Sequence, residues 1–409
     1  MRLLYGIIGI LTILGIAYLL SSNKKAINVR TVLGAFFMQA LFAMFVLYIP
    51  FGQQLILYIS NGIQSAINAG NTGVAFVFGP LAEGNVGFIF AIQVLTVVIF
   101  FSSLISVLYY LKIMPLIINT IGYGIHKLLG TSRTESLSAT ANIFVGQTEA
   151  PLVVKPFLNT MTKSELFAVM VGGLASVAGS VMVGYASLGI DLKYLIAAAF
   201  MSAPGGLLMA KIIMPQTEEV HDTMKEIEET DSKNQDHPVN VIEAAANGAS
   251  AGMLLVANIG AMLIAFIGLV ALMDMILGSL GNIFGYEELS FNFLLGYMFS
   301  PFAFIIGIPW EEAVRVGAFL GQKMIFNEFV AYLSFSKEIA TFSPTTQAIV
   351  TFALCGFANI SSIGILIGGL GVLSPKQKPN IASMAIKAVA AGTLSNFMSA
   401  TLAGIFLSF

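Results

Sequence analysis

Charge is what this sequence has least of. Only 10% of its 409 residues are Asp, Glu, Lys or Arg, against roughly 25% in soluble domains, too few to cover the surface of a soluble body this long. The formal net charge of −2 leaves no basic face for a nucleic acid. A single cysteine, Cys355, excludes an intrachain disulfide. The three histidines, His126, His221 and His237, fall in polar joints without zinc-site spacing. Soluble enzymes, nucleic-acid binders and disulfide scaffolds are therefore set aside.

What is there is apolar. Hydrophobic side chains make up 57% of the chain, and mean hydropathy is +0.88. Long apolar stretches joined by short polar ones describe an all-α polytopic membrane protein. Leu3 to Leu20 is long enough to cross about 30 Å of hydrocarbon, and the positive charges Lys24, Lys25 and Arg30 follow rather than precede it. That order places the N-terminus outside. Further spans are expected at 31–50, 87–111, 165–189, 194–213, 248–274, 343–373 and 382–408, with an interfacial helix at 53–72. The total is eight spans, and the C-terminus also lies outside. An acidic inner loop is expected at 216–240, with Asp274 at an outer boundary.

Two segments are too polar at their centres to be plain spans. Residues 136–160 contain Gly146-Gln-Thr-Glu-Ala-Pro151, and 292–333 contain Glu311, Glu312, Arg315, Lys323 and Glu328. Both read as re-entrant hairpins. Hairpin plus two spans then occurs twice, with one span between the copies, which inverts the second. Inverted repeats with interrupted helices are the usual build of a secondary transporter, because loosened backbone is tolerated at membrane depth only where it lines a cavity. The chain divides accordingly into 1–135 (mainly scaffold), 136–213 (first repeat), 214–247 (acidic loop), 248–291 (span and outer joint) and 292–409 (second repeat).

Carboxylates at membrane depth are costly and functional by default. Glu149 sits at the first tip, either as a ligand group or on an inner-surface turn. Glu328, in Asn327-Glu-Phe, could take two hydroxyls of a vicinal diol or pair with Lys323 or Arg315, and Gln147 could offer an amide-like ring both a donor and an acceptor. Gly356-Phe-Ala-Asn-Ile-Ser-Ser362 reads as a helix break; Gly172 to Ser180 reads as a second break or as close packing through small residues. Glu311, Glu312, Arg315 and Lys323 read as an ion-pair network.

Gly146-Gln-Thr-Glu-Ala-Pro151, Pro309-Trp-Glu-Glu-Ala, Asn327-Glu-Phe-Val-Ala-Tyr332 and Phe352 to Ser362 occur in this order. Together they resemble the bacterial, sodium-coupled type of the concentrative nucleoside transporters, over essentially the whole chain. The resemblance implies a homotrimer in a bacterial inner membrane, moving nucleosides such as uridine with sodium by elevator-type alternating access, and no enzymatic step. It implies that Gln147, Thr148, Glu149, Leu255 and Phe357 meet the base. It implies that Glu328, Asn359 and Ser362 hold the ribose, and that Asn142, Ser176 and the carbonyls of Val145 and Val177 bind sodium. Proton coupling through a membrane carboxylate is the alternative; a channel or an intramembrane enzyme using Glu149 and Glu328 is a reading from a different class.

Overall fold

The computed structural model describes residues 2–82, 87–220, 238–286 and 289–408, and among them every regular element is helical. That follows from the solvent: in lipid, backbone groups must be satisfied within the segment itself. Helices α1 (Arg2–Leu19), α2 (Val29–Leu47) and α3 (Pro50–Phe78) come first. A π-helical turn, Ala91–Leu95, leads into α4 (Val97–Tyr110) and then α5 (Ile113–Leu129). Hairpin 1 consists of α6 (Arg133–Ala141), a tip at 142–149 and a 3-10 limb, Ala150–Phe157. A helix broken into α7 (Lys163–Ala175) and α8 (Gly179–Ser187), followed by α9 (Leu192–Ile213), completes the first unit. Helices α10 (Val241–Phe284) and α11 (Phe291–Ile305) precede hairpin 2, made of α12 (Trp310–Ile325) and α13 (Glu328–Glu338). A second broken pair, α14 (Pro344–Leu354) and α15 (Ser361–Leu373), and the long α16 (Lys378–Phe406) close the second unit.

Each expected span coincides with a helix or a broken helix, and the same order of hairpin, broken helix and long helix occurs twice. Among the described residues, six spans are long and apolar enough to cross a membrane. Burial sorts them. The most apolar windows of α7–α8, α9 and α16 are 94%, 94% and 83% buried, against 28% for α2 and 6% for α10. The first group forms the core, and the second turns apolar side chains outward, as a lipid-facing layer must. Helices α4 and α10 are fastened by the Ser103 and Ser106 hydroxyls, which donate to the carbonyls of Ala245 (2.9 Å) and Ala244 (2.7 Å).

Four boundaries differ from the sequence reading. The second hairpin does not begin at 292: α11 is a separate apolar helix, bent by 115° from α12, because Gly307 (φ 101°) and Pro309 stop the helix. The hairpin proper runs to Glu338. The stretch after Lys112 is the helix α5, whose buried face is Met114, Ile118, Gly122, Ile125 and Leu129; Pro115 fits its first turn. The helix expected at the interface, α3, is longer at both ends than 53–72. Helix α10 runs on past Asp274, since nothing in that stretch interrupts it. Most of the acidic loop, with His221, His237, Glu287 and Glu288, lies outside the described residues.

Contacts gather the joints at two ends. At one end the Ser22 N–H donates to Ile213 O (2.8 Å), the Thr31 hydroxyl to Leu129 O (2.9 Å) and the Gln377 amide to Met161 O (3.0 Å). Lys24, Lys25, Arg30, Arg133, Lys163, Lys376 and Lys378 belong to the joints of this basic end. At the other end Tyr5 and Ile405 line one cavity with Ser343 and Thr346.

The basic end hides an ion pair that the sequence reading passed over. Lys211 Nζ lies 2.6 Å from Glu135 Oε2, both side chains buried, and donates to Ser164 Oγ at 2.8 Å. Removing one member of a buried pair strands the other charge. Lys211→Met should therefore lower stability by about 3–5 kcal/mol, read as a fall in the melting temperature of purified protein, and adding Glu135→Leu should restore most of it.

Candidate functional site

The first tip forms because α6 cannot continue into Gly146-Gln-Thr-Glu-Ala-Pro151 and because the break in the next span receives it. The Phe144 carbonyl accepts the Gly179 N–H at 3.0 Å. A Cβ at Gly179 would stand 2.8 Å from that oxygen, so only glycine allows the approach. Glu149 closes the tip by accepting the Gly146 N–H through Oε2 (3.1 Å). Thr148 and Glu149 lie on its exposed side; Gln147 is buried, and its Oε1 has no hydrogen-bond partner among the described residues.

Asn142 caps the end of α6 and is fully buried. Its Nδ2 donates to Ser138 O (2.9 Å), while its Oδ1 is left without a partner among the described residues. The carboxamide lies against Gly172 and Gly173, in the last turns before Ser176. Ser176 donates its hydroxyl to Gly172 O (3.0 Å), and the carbonyls of Val145 and Val177 accept no backbone hydrogen bond from a described residue. The groups expected for sodium are thus all oxygens: an amide oxygen and two carbonyls with no backbone partner among the described residues, and one hydroxyl. This suits a hard monovalent cation and no thiophilic metal.

The second tip holds Glu328, 5% exposed. Asn327 caps α13 by accepting the Val330 N–H (2.9 Å), which sets Glu328 as its first residue. The Tyr185 hydroxyl donates to Glu328 Oε1 (3.0 Å) and Asn359 Nδ2 to Oε2 (3.3 Å). Asn359 Oδ1 in turn accepts the Ser361 hydroxyl (2.7 Å) and the Ser362 N–H (2.8 Å), and Ser362 donates to Phe357 O (2.6 Å). Tyr185 is packed between Phe329 and Tyr332, with centroids 5.1 and 4.4 Å away. Glu328 thus pairs with neither Lys323 nor Arg315. Glu328, Asn359 and Ser362 form one network. Phe357 is half-buried in the break beside them, and Leu255 is half-buried on α10.

The expected ion-pair network is narrower than the sequence suggests. Arg315 pairs with Glu338 (2.7 Å), and Glu312 accepts the Thr346 hydroxyl (2.5 Å). Lys323 belongs to the centre instead: its Nζ donates to Asn396 Oδ1 (2.7 Å) and to Ala353 O (2.8 Å). Asn396 Nδ2 donates to Ala175 O (2.7 Å) and Cys355 O (3.0 Å), joining the C-terminal ends of the two half-helices. The breaks also touch directly, since the Phe357 N–H donates to Ser176 O (3.1 Å). Sequence reasoning missed Tyr185 and Asn396. An asparagine within the last span was the available signal for the second, because polar residues at that depth need a partner. A cavity of about 320 Å³ opens beside Trp310 and Thr346 at the foot of hairpin 2, away from these groups.

Two hairpin tips set into two interrupted helices within an apolar, all-helical body define a multi-pass membrane transporter, not an enzyme. Comparison with known proteins narrows the class. Family models match residues 8–81 (Na+ dependent nucleoside transporter N-terminus), 91–191 (nucleoside recognition) and 194–404 (Na+ dependent nucleoside transporter C-terminus). The nucleoside permease NupC of Helicobacter pylori is 52% identical over 415 residues, covering 99% of this chain and 98% of that protein. Structures of CNTnw, 49% identical, superpose with TM-scores of 0.94 in an inward-facing substrate-bound state and 0.96 for a variant in an outward-facing state. They cover 100% of this chain and 98% and 99% of theirs. The chain belongs to the concentrative nucleoside transporter family, a Na+-dependent family by its description.

The join at Asn396 leaves no room. A Cβ at Gly356 would come within 2.3 Å of Asn396 Oδ1, and Asn396 is held by three bonds. Gly356→Ala should cost about 1–3 kcal/mol through overpacking, seen as a lowered melting temperature, whereas Gly15→Ala, with nothing within 4 Å, should leave it unchanged.

Proposed function

We propose that this protein is a sodium-coupled symporter that imports nucleosides such as uridine by elevator-type alternating access. It works as a homotrimer in a bacterial inner membrane with both termini outside. The observation that carries the reading is Glu328: a buried carboxylate at a hairpin tip, held by a phenol and a carboxamide, with the buried amide oxygen of Asn142 left without a partner among the described residues in the other hairpin. In this reading Glu328, Asn359 and Ser362 hold the ribose hydroxyls. Gln147, Thr148 and Glu149 read the base, with Phe357 and Leu255 packed around it. Sodium is taken up by Asn142, Ser176 and the carbonyls of Val145 and Val177. The gathering of lysines and arginines at one end supports the orientation, since that end belongs inside.

Coupling needs only differential affinity. Sodium between hairpin 1 and the first break favours the arrangement that receives the nucleoside, and by linkage the nucleoside favours sodium binding equally. No covalent step is involved. The two hairpins and the broken helices are then the mobile part, and residues 1–135 are mainly the fixed scaffold.

The test is uptake of labelled uridine into proteoliposomes under an imposed sodium gradient, compared with a pH gradient in sodium-free buffer. Accumulation that requires sodium is expected; accumulation driven by the pH gradient alone would move coupling to Glu149 or Glu328. Glu328→Gln should abolish nucleoside binding while leaving the protein monodisperse. Tyr185→Phe removes one hydrogen bond to a charged group, worth about 1.5–3 kcal/mol, and should weaken nucleoside affinity at least about tenfold by calorimetry. Ser176→Ala should instead raise the sodium concentration needed for half-maximal uptake.

A further inference from the structure

The tip of hairpin 2 carries two phenylalanines, Phe326 and Phe329, one on either side of Asn327 and Glu328. Each meets a ring that lies outside both repeats. Phe326 rests on Phe266 of α10, with centroids 5.5 Å apart, and Phe329 meets Phe90, just ahead of α4, at 5.7 Å and 89°, edge to face. The two outer rings belong to one body. Besides the Ser103 and Ser106 hydrogen bonds, α10 meets α4 through glycines: a Cβ at Gly248 would stand 2.7 Å from Ser102 O, and one at Gly252 2.8 Å from Ile99 Cα. Membrane helices that approach this closely through small residues pack as a unit, so α10 stays with α4. The π turn Ala91–Leu95 follows Phe90 directly. It inserts one residue, which turns Phe90 by about 100° from the direction that a plain α-helix would give it. Phe329 passes the contact on. Its Cζ stands 3.3 Å from where a Cβ at Gly184 would be, and its centroid is 5.1 Å from that of Tyr185, whose hydroxyl donates to Glu328 Oε1 at 3.0 Å. A chain of contacts therefore runs from α4 to the carboxylate at the centre of the site.

We propose that Phe90 is a positioning residue of the nucleoside site that acts from the scaffold: by pinning Phe329 against Tyr185 it aims the phenol at Glu328. The proposal deepens the nucleoside reading above and rests on it. Phe90 touches neither Glu328 nor its hydrogen-bond partners; it works through the ring of Phe329 alone. Because Phe90 belongs to the fixed part and Phe329 to the mobile one, the support lasts only while hairpin 2 lies at this depth. Position in the membrane and grip on the cargo are linked through one ring.

A double-mutant cycle tests this, with uridine affinity read by calorimetry on the purified protein in sodium buffer. Phe90→Ala removes an edge-to-face pair and should weaken uridine binding about three- to tenfold. In a Tyr185→Phe background the same change should weaken it less than about twofold, because the phenol that Phe90 positions is already gone. Equal losses in the two backgrounds overturn the proposed route, since a ring that only fills space costs the same in both. A lowered melting temperature with wild-type affinity overturns it as well. If Phe90→Ala does not fold, Phe90→Leu, apolar and without a ring edge, takes its place in the cycle under the same expectations. The parent reading fails separately: no uridine binding by the wild type, or unchanged affinity in Tyr185→Phe, overturns the nucleoside site itself, whereas a site sensitive to Tyr185 and insensitive to Phe90 overturns only the role of Phe90.

Discussion

The centre of this molecule depends on how two interrupted helices are closed off. A break frees carbonyls that lipid cannot satisfy. Here one carboxamide does most of the closing: Asn396 donates to Ala175 O and Cys355 O and accepts from Lys323. The breaks also hydrogen-bond to each other through Phe357 and Ser176, and hairpin 2 is stitched to its break through the Ile360 N–H and Met324 O at 3.0 Å. Each tip is thus anchored to a break, and the breaks to each other. That join sets the two tips beside the breaks, and local bonds then hold Glu328, Asn359 and Asn142 within them.

The architecture was legible because its signals are long. Apolar runs of span length, and two apolar segments carrying charge at their centres, need no subtle chemistry to read, and four motifs in order named the family. Boundaries were harder. Helix α5 was hidden because Pro115, Gly122 and Gly124 look like loop residues while its buried positions recur only every three or four residues. Helix α11 was merged with hairpin 2 because no charged residue separates it from Glu311, and the turn between them rests on Gly307 and Pro309 alone. The missed side chains share another cause. Tyr185, Asn396 and Lys211 each lie far along the chain from their partners, and only packing brings Tyr185 to Glu328 across 143 positions.

Charge is spent differently at the ends and in the middle. The surface pair Lys193–Asp191 is partly exposed, where screening leaves such a pair little value. The pair Lys211–Glu135 is buried at the root of hairpin 1, beside the Thr162 and Glu165 capping box that starts α7. At the tips the carboxylates meet neutral donors only. A carboxylate held by a phenol and an amide keeps lone pairs free for a third party, which one held by a lysine or arginine would have given up.

Helix α10 has a geometric consequence of its own. At about 1.5 Å per residue, its 44 residues make a rod of about 66 Å, roughly twice the thickness of the hydrocarbon layer. Such a rod cannot stand upright within the bilayer; it must lean, project, or do both. Phe326, at the tip of hairpin 2, rests on it through Phe266, with ring centroids 5.5 Å apart. In the elevator motion proposed above, hairpin 2 moves past this contact, and any lean of the rod turns part of its travel through the membrane into sideways travel.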